Sequence, residues 1–177
     1  MKELNPNIKI IGVDPPGSVL ALPEQLNVDN PVAPGGQIIE GVGYDFQPRC
    51  FDRMIVDDWI KGPDKESFIM ARRLMKQEGL LCGGSSGFAM YGAIEYIKKH
   101  KIGKDKRVVV ILPDNIRNYM TKHLNSDWMY ERGYMSEKEC ASEYISDLVE
   151  NTDWGQKLTV KDLPLHEALF VKDTITC

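Results

Sequence analysis

Residues Glu78–His100 read EGLLCGGSSGFAMYGAIEYIKKH. A short apolar run, Leu80-Leu81-Cys82, opens into Gly83-Gly84-Ser85-Ser86-Gly87. A helix with Phe88, Tyr91, Ile94 and Ile97 at helical spacing follows and stops near Gly103. Four uses fit such a turn: a phosphate cradle, a serine nucleophile, a polar seat for a cofactor ring, or a serine that only caps the helix. The cradle lacks both GxxxxGK[ST] and GxGxxG. The nucleophile has Gly83-x-Ser85-x-Gly87, with Asp114 and His123 following in serine-hydrolase order. Against it, the preceding helix closes at Gly79, which leaves only about three residues for the feeding strand. His123 is also expected inside a helix, not on a free loop. The two glycines before Ser85 remove side chains where something must lie against the backbone.

Outward from this turn the chain reads strand, helix, helix, strand, helix. Ile8–Val13 reads as a buried strand closed by Asp14-Pro15-Pro16-Gly17. Gly17–Gly36 is a long proline-bearing surface segment, a kind that usually carries function or wraps another element. Met54–Trp59 suggests a second strand. Asp64 caps a helix after Pro63, with Phe68, Ala71, Leu74 and Met75 on its apolar stripe and Gly79 at its end. Val108–Leu112, within RVVVILPD, has the unbroken apolar character of a covered central strand. Asp114 or Asn115 is expected to cap a further helix through Tyr119, Met120 and Leu124. The pattern predicts an α/β domain with a mainly parallel sheet covered by helices.

Bulk properties exclude several classes. A net charge of -4 offers no electrostatic basis for nucleic-acid or anionic-membrane binding. The basic cluster around Lys98–Lys101 reads as a solvated helix end. The four cysteines form no CxxC pair, which disfavours zinc. The longest apolar run is too short to span a bilayer, and MKELNPNIKI lacks the apolar core of a signal peptide. A cytoplasmic protein with reduced thiols is the expectation.

Four stretches together carry a resemblance: KIIGVDPPGSVL, EGVGYDF, QEGLLCGGSSG and VVVILPDNIRNYMTK. They resemble the second half of the catalytic domain of the cystathionine β-synthase family, over about Met1–Gly133. These are pyridoxal-phosphate enzymes of the tryptophan-synthase-β fold type. The resemblance implies condensation of L-serine with L-homocysteine to L-cystathionine, by homo-oligomeric enzymes. It implies that Ser85 receives the pyridine nitrogen of pyridoxal 5'-phosphate, with Gly83 and Gly84 giving the ring room. An aspartate there would hold the nitrogen protonated and make the ring a deep electron sink. A hydroxyl leaves it largely unprotonated, which favours loss of a β-leaving group over transamination. Pro113 and Asp114 fall on the cofactor side, at the strand end where α/β sheets bind ligands. Gly41, Gly43 and Tyr44 of EGVGYDF border the substrate side.

The departures matter equally. The family's Schiff-base lysine lies in a Ser-x-Lys-Asp-Arg-like motif, and none of the fifteen lysines here has that setting. No catalytic residue is therefore assigned within these residues. The Ser-Gly-Asn-Thr-Gly-type substrate loop, the Gly/Thr-rich phosphate loop and the haem segment of animal members do not occur either. The expected organisation is a catalytic second half over 1–133, a polar linker over 134–157, and the opening of a tandem regulatory module over 158–177. Residues 1–177 alone are expected to be inactive. Alternatives are a cysteine-synthase-like enzyme, a non-catalytic subunit-pairing module, and the hydrolase built on Ser85, Asp114 and His123.

Overall fold

A computed structural model describes residues 1–29 and 36–143. Two strands, β1 (Ile11–Asp14) and β2 (Asp58–Lys61), pair in parallel, with Gly12 opposite Trp59 and Asp14 opposite Lys61. A four-residue helix, α1 (Gln25–Val28), lies between them. Two long helices follow, α2 (Asp64–Glu78) and α3 (Gly84–His100), and then α4 (Ser126–Glu131) and α5 (Glu137–Glu143). Single 3-10 turns occupy Arg53–Ile55 and Ile116–Tyr119. No helix among the described residues is long and apolar enough to cross a membrane.

Helix α2 forms where the sequence places it, but Pro63, not Asp64, is its N-cap and no side chain caps it, which corrects the expected Asp64 cap. Extended Pro63 precedes it, Asp64 and Glu66 complement the dipole of its first turn, and Gly79 ends it in the left-handed conformation with φ 69°. Its buried stripe includes Phe68, Ala71 and Leu74. Phe68 joins Ile39, Phe88 and Met129 in the core, and its ring meets those of His123, Trp128 and Tyr134. Helix α3 packs unusually close to its neighbours. A Cβ at Gly87 would lie 2.2 Å from the Ser67 carbonyl oxygen, and one at Gly92 would lie 2.3 Å from Val13 Cγ2. The small residues of α3 thus bring it onto both α2 and β1.

Several expectations are corrected. The first strand is Ile11–Asp14; Ile8 and Ile10 are only half-buried and Lys9 is exposed. The second strand lies at Asp58–Lys61, and a 3-10 turn occupies Arg53–Ile55. Val108–Leu112 forms no strand, with Val109 78% and Ile111 76% exposed. A continuous apolar strand is buried only when neighbours cover its edges and faces, and the described residues pair none with it. His123 lies on a turn, and Tyr119, Met120 and Leu124 do not continue one helix.

Contacts divide the chain into Met1–Ser136 and Glu137–Cys177. Tyr134 and Met135 pack on the core of the first unit. The described part of the second is α5. Most of the expected linker, and all of 158–177, lie outside the described residues.

Candidate functional site

The turn before α3 is set by a short antiparallel link between two chain segments. Cys82 bridges Asn115; Ile116 N donates to Leu81 O at 3.1 Å and Gly83 N to Asp114 O at 3.1 Å. Gly83 is extended, with φ -79° and ψ 176°, and α3 begins at Gly84, earlier than its apolar stripe suggests. No side chain caps the helix, so the reading of Ser85 or Ser86 as a mere cap is corrected. Ser85 is half-buried on the first turn, where the unpaired amides of the helix start collect. Its hydroxyl makes no hydrogen bond within the described residues.

Behind the turn lies a compact polar group. Tyr119 Oη donates to Asp114 Oδ2 at 2.5 Å, and this bond raises the Tyr119 phenol pKa above its ordinary value. Asp114 Oδ1 closes on the turn, since a Cβ at Gly83 would sit 2.1 Å from it. A Cβ at Gly84 would sit 2.8 Å from Phe68 Cε1. Both glycines are therefore required by packing inside the chain, whatever lies against their outer face. Asn115, not Asp114, caps the 3-10 turn by accepting from Arg117 N at 2.9 Å. Pro113 is exposed beside them. Ser86 and Cys82 are buried; burial pushes the Cys82 thiol up, and the Ser86 hydroxyl acts in the opposite sense.

His123 is fully buried between the rings of Phe68 and Tyr119, at 5.1 and 5.3 Å. Neither ring nitrogen makes a well-aligned hydrogen bond. Burial lowers its pKa to about 4, outweighing the Cys82 backbone that favours the charged ring. This overturns the hydrolase reading. Asp114 is bonded to Tyr119, and His123 is a walled-in neutral ring with no hydrogen bond to Ser85.

The EGVGYDF loop forms a second group. Gly41 and Gly43 take φ +77° and +76°, conformations costly for residues with side chains. A Cβ at Gly43 would also meet Pro15 Cγ at 2.4 Å. Ile38 N donates to Asp64 Oδ2 at 2.8 Å, and Glu40 pairs with Lys122, tying the loop to α2 and to the turn carrying His123. Tyr44 is exposed and edge-on to Phe46. With Pro16, Gly17, Ser18, Gln37, Gly43 and Asp45 it lines an open cleft of about 320 Å³. No hydrogen bond or ring contact joins Ser85 to Tyr44 among the described residues. The site residues thus fall into two separately built groups.

Sequence reasoning missed the buried pair Asp14–Lys61, at 2.7 Å, and Arg72. Arg72 Nη1 donates to the carbonyls of His123 and Leu124, both at 2.9 Å, and Nη2 to Ser126 Oγ at 3.0 Å. A signal existed for the pair: opposite charges close the two apolar strands.

The model of the family described as pyridoxal-phosphate dependent enzyme matches residues 1–114. The chain belongs to that family of cofactor-dependent enzymes. Within it, the chain is similar to cystathionine β-synthases. It is 50% identical to that of Dictyostelium discoideum, over all of this chain and 33% of the relative. It is 46% identical to that of Mus musculus, over all of this chain and 29% of the relative. The crystal structure of the O-acetylserine-dependent cystathionine β-synthase from Helicobacter pylori superposes with a TM-score of 0.55 and 35% identity. That match covers 68% of this chain and 36% of the other. The chain spans about a third of the length of these curated relatives. The expected fold stands: an α/β part of a pyridoxal-phosphate enzyme with a small parallel sheet.

Proposed function

We propose that residues 1–133 supply the ring-nitrogen seat and the substrate-side loop of a β-replacement site that condenses L-serine with L-homocysteine to L-cystathionine. The carrying observation is Ser85: a neutral hydroxyl free of internal hydrogen bonds at the start of α3, while the nearby carboxylate of Asp114 is engaged by Tyr119. These residues fit pyridoxal phosphate. When bound, that cofactor supplies an electron-withdrawing ring that stabilises negative charge on an adjacent carbon. Ser85 would donate a hydrogen bond to the ring nitrogen without transferring a proton. Asp114, held by Tyr119 and by its carbonyl's bond to Gly83 N, would keep the turn in shape and stay off the ring. Gly41, Gly43 and Tyr44 would border the amino-acid substrate, with the Tyr44 hydroxyl facing it.

The chain carries no lysine in the family's Schiff-base setting, so residues 1–177 by themselves are proposed to be inactive. Residues 158–177 are proposed as the opening of a regulatory module, and the active assembly as a homo-oligomer.

A chimera tests this, with the chain replacing the matching third of the Dictyostelium relative. The chimera is expected to produce cystathionine from serine and homocysteine, and residues 1–177 alone to produce none. Ser85→Asp in the chimera should retain cofactor absorbance and lose about 100-fold in rate, the scale of removing one well-placed donor. A folded, cofactor-loaded chimera without cystathionine, or undiminished turnover in Ser85→Asp, would refute the assignment.

A further inference from the structure

Lys61 stands apart from the other lysines of the described residues in being buried and fully engaged. Its ammonium donates to Asp14 Oδ2 at 2.7 Å, Ser18 O at 3.0 Å and Pro15 O at 3.2 Å. An ammonium has three protons, and three acceptors take them. No donor remains for a ligand, and an amine so held is not a nucleophile.

The register explains the pairing. Asp14 and Lys61 face each other at the last position of the β1–β2 ladder. Lys61 there gathers two carbonyls from the turn that follows β1, itself closed by Ser18 N donating to Pro15 O at 3.2 Å. With both carbonyls drawn inward, the turn has one orientation. That orientation presents Ser18 Oγ to Tyr44 N at 3.1 Å and to Leu20 N at 3.4 Å. Val19 N then donates to Tyr44 O at 2.9 Å. Both backbone groups of Tyr44 are therefore held by the turn that Lys61 holds.

Stability alone is a weak reason for such a pair. A buried ion pair often adds little over apolar residues of the same volume, and its clearest use is to select one arrangement. We infer that Lys61, with Asp14, is a positioning residue for the Tyr44 loop, acting through Ser18 to hold the wall of the adjacent cleft. The inference rests on the reading above that Tyr44 borders the substrate.

Hydrogen exchange on the 177-residue chain and kinetics on the chimera test it separately. Ser18→Ala removes the acceptor of Tyr44 N without touching the buried charges, and the paired change Asp14→Asn with Lys61→Met removes the organising cation without leaving a buried carboxylate unpaired. In both, the Tyr44 amide is expected to exchange about tenfold faster or more, while α2 and α3 amides stay within about twofold. In the chimera both should raise KM for an amino-acid substrate about tenfold with kcat held within about twofold, the split of lost ground-state positioning. Unchanged Tyr44 exchange in Ser18→Ala overturns the inference. So does a uniform rise across α2 and α3 in a folded Asp14→Asn/Lys61→Met chain, which marks a merely structural pair. If the paired variant does not fold, Ser18→Ala decides. If the unsubstituted chimera is inactive, the proposed reaction fails and the exchange experiment still decides whether Lys61 holds the loop.

Discussion

His123 shows how a residue type misleads when its surroundings are unknown. A histidine after a Gly-x-Ser-x-Gly turn invites the role of a base, yet aromatic burial leaves this one neutral, with a pKa lowered to about 4. The consequence is pH-dependent stability. The unfolded chain protonates His123 near its ordinary value, and the folded chain resists protonation until about pH 4. Between those values the unfolded state binds more protons, so stability is fully present above the ordinary pKa and falls as pH drops. The loss attributable to His123 from pH 7 to pH 4 is about 3 kcal/mol. Urea unfolding at both pH values should show it, and His123→Phe, keeping a ring between Phe68 and Tyr119, should remove most of the difference. An equal pH effect in both proteins would assign the loss to other groups.

At the scale of elements, α2 and α3 meet through glycine. Gly87→Ala should raise helix propensity by about 1 kcal/mol. The same change drives a methyl to 2.2 Å from the Ser67 carbonyl and 2.5 Å from Ala71 N, both rigid backbone. Overpacking of that kind costs about 3 kcal/mol, so the clash wins and the urea midpoint should fall. A rise in midpoint would show that the two helices can separate freely. Arg72 makes a second joint, since its guanidinium takes two carbonyls of the turn before α4. Arg72→Met leaves those carbonyls without this donor and is expected to cost about 2 kcal/mol. The measurement is the same unfolding midpoint, with loss of protection confined to residues 122–131 in hydrogen exchange.

At the scale of the molecule, exposed apolar side chains of the described residues govern behaviour in solution. Val109, Ile111 and Leu81 face solvent, an arrangement that favours pairing with another chain. Residues 1–177 should therefore self-associate at about 100 μM, within the range where exposed strand-forming surface aggregates. Val109→Lys with Ile111→Lys should abolish this in sedimentation velocity. A wild-type chain that stays monomeric at that concentration would argue that this apolar surface is covered in solution.

Much of this protein was legible along the chain. The ends of α2 follow from Pro63, its first-turn acids and Gly79, because helix termini are satisfied by residues within a turn of them. The Gly83–Gly87 turn and its family resemblance are local motifs, and the comparisons bear that resemblance out. Other features join residues distant in sequence. The Asp14–Lys61 pair bridges 47 positions and the Glu40–Lys122 pair 82. Asp114 turns to Tyr119 and leaves His123 unpaired, although all three lie within one short stretch. Val108–Leu112 has the composition of a core strand and the exposure of an edge. Apolar periodicity records what a segment can bury, whereas burial and charge pairing depend on which neighbours the folded chain brings within a few ångströms.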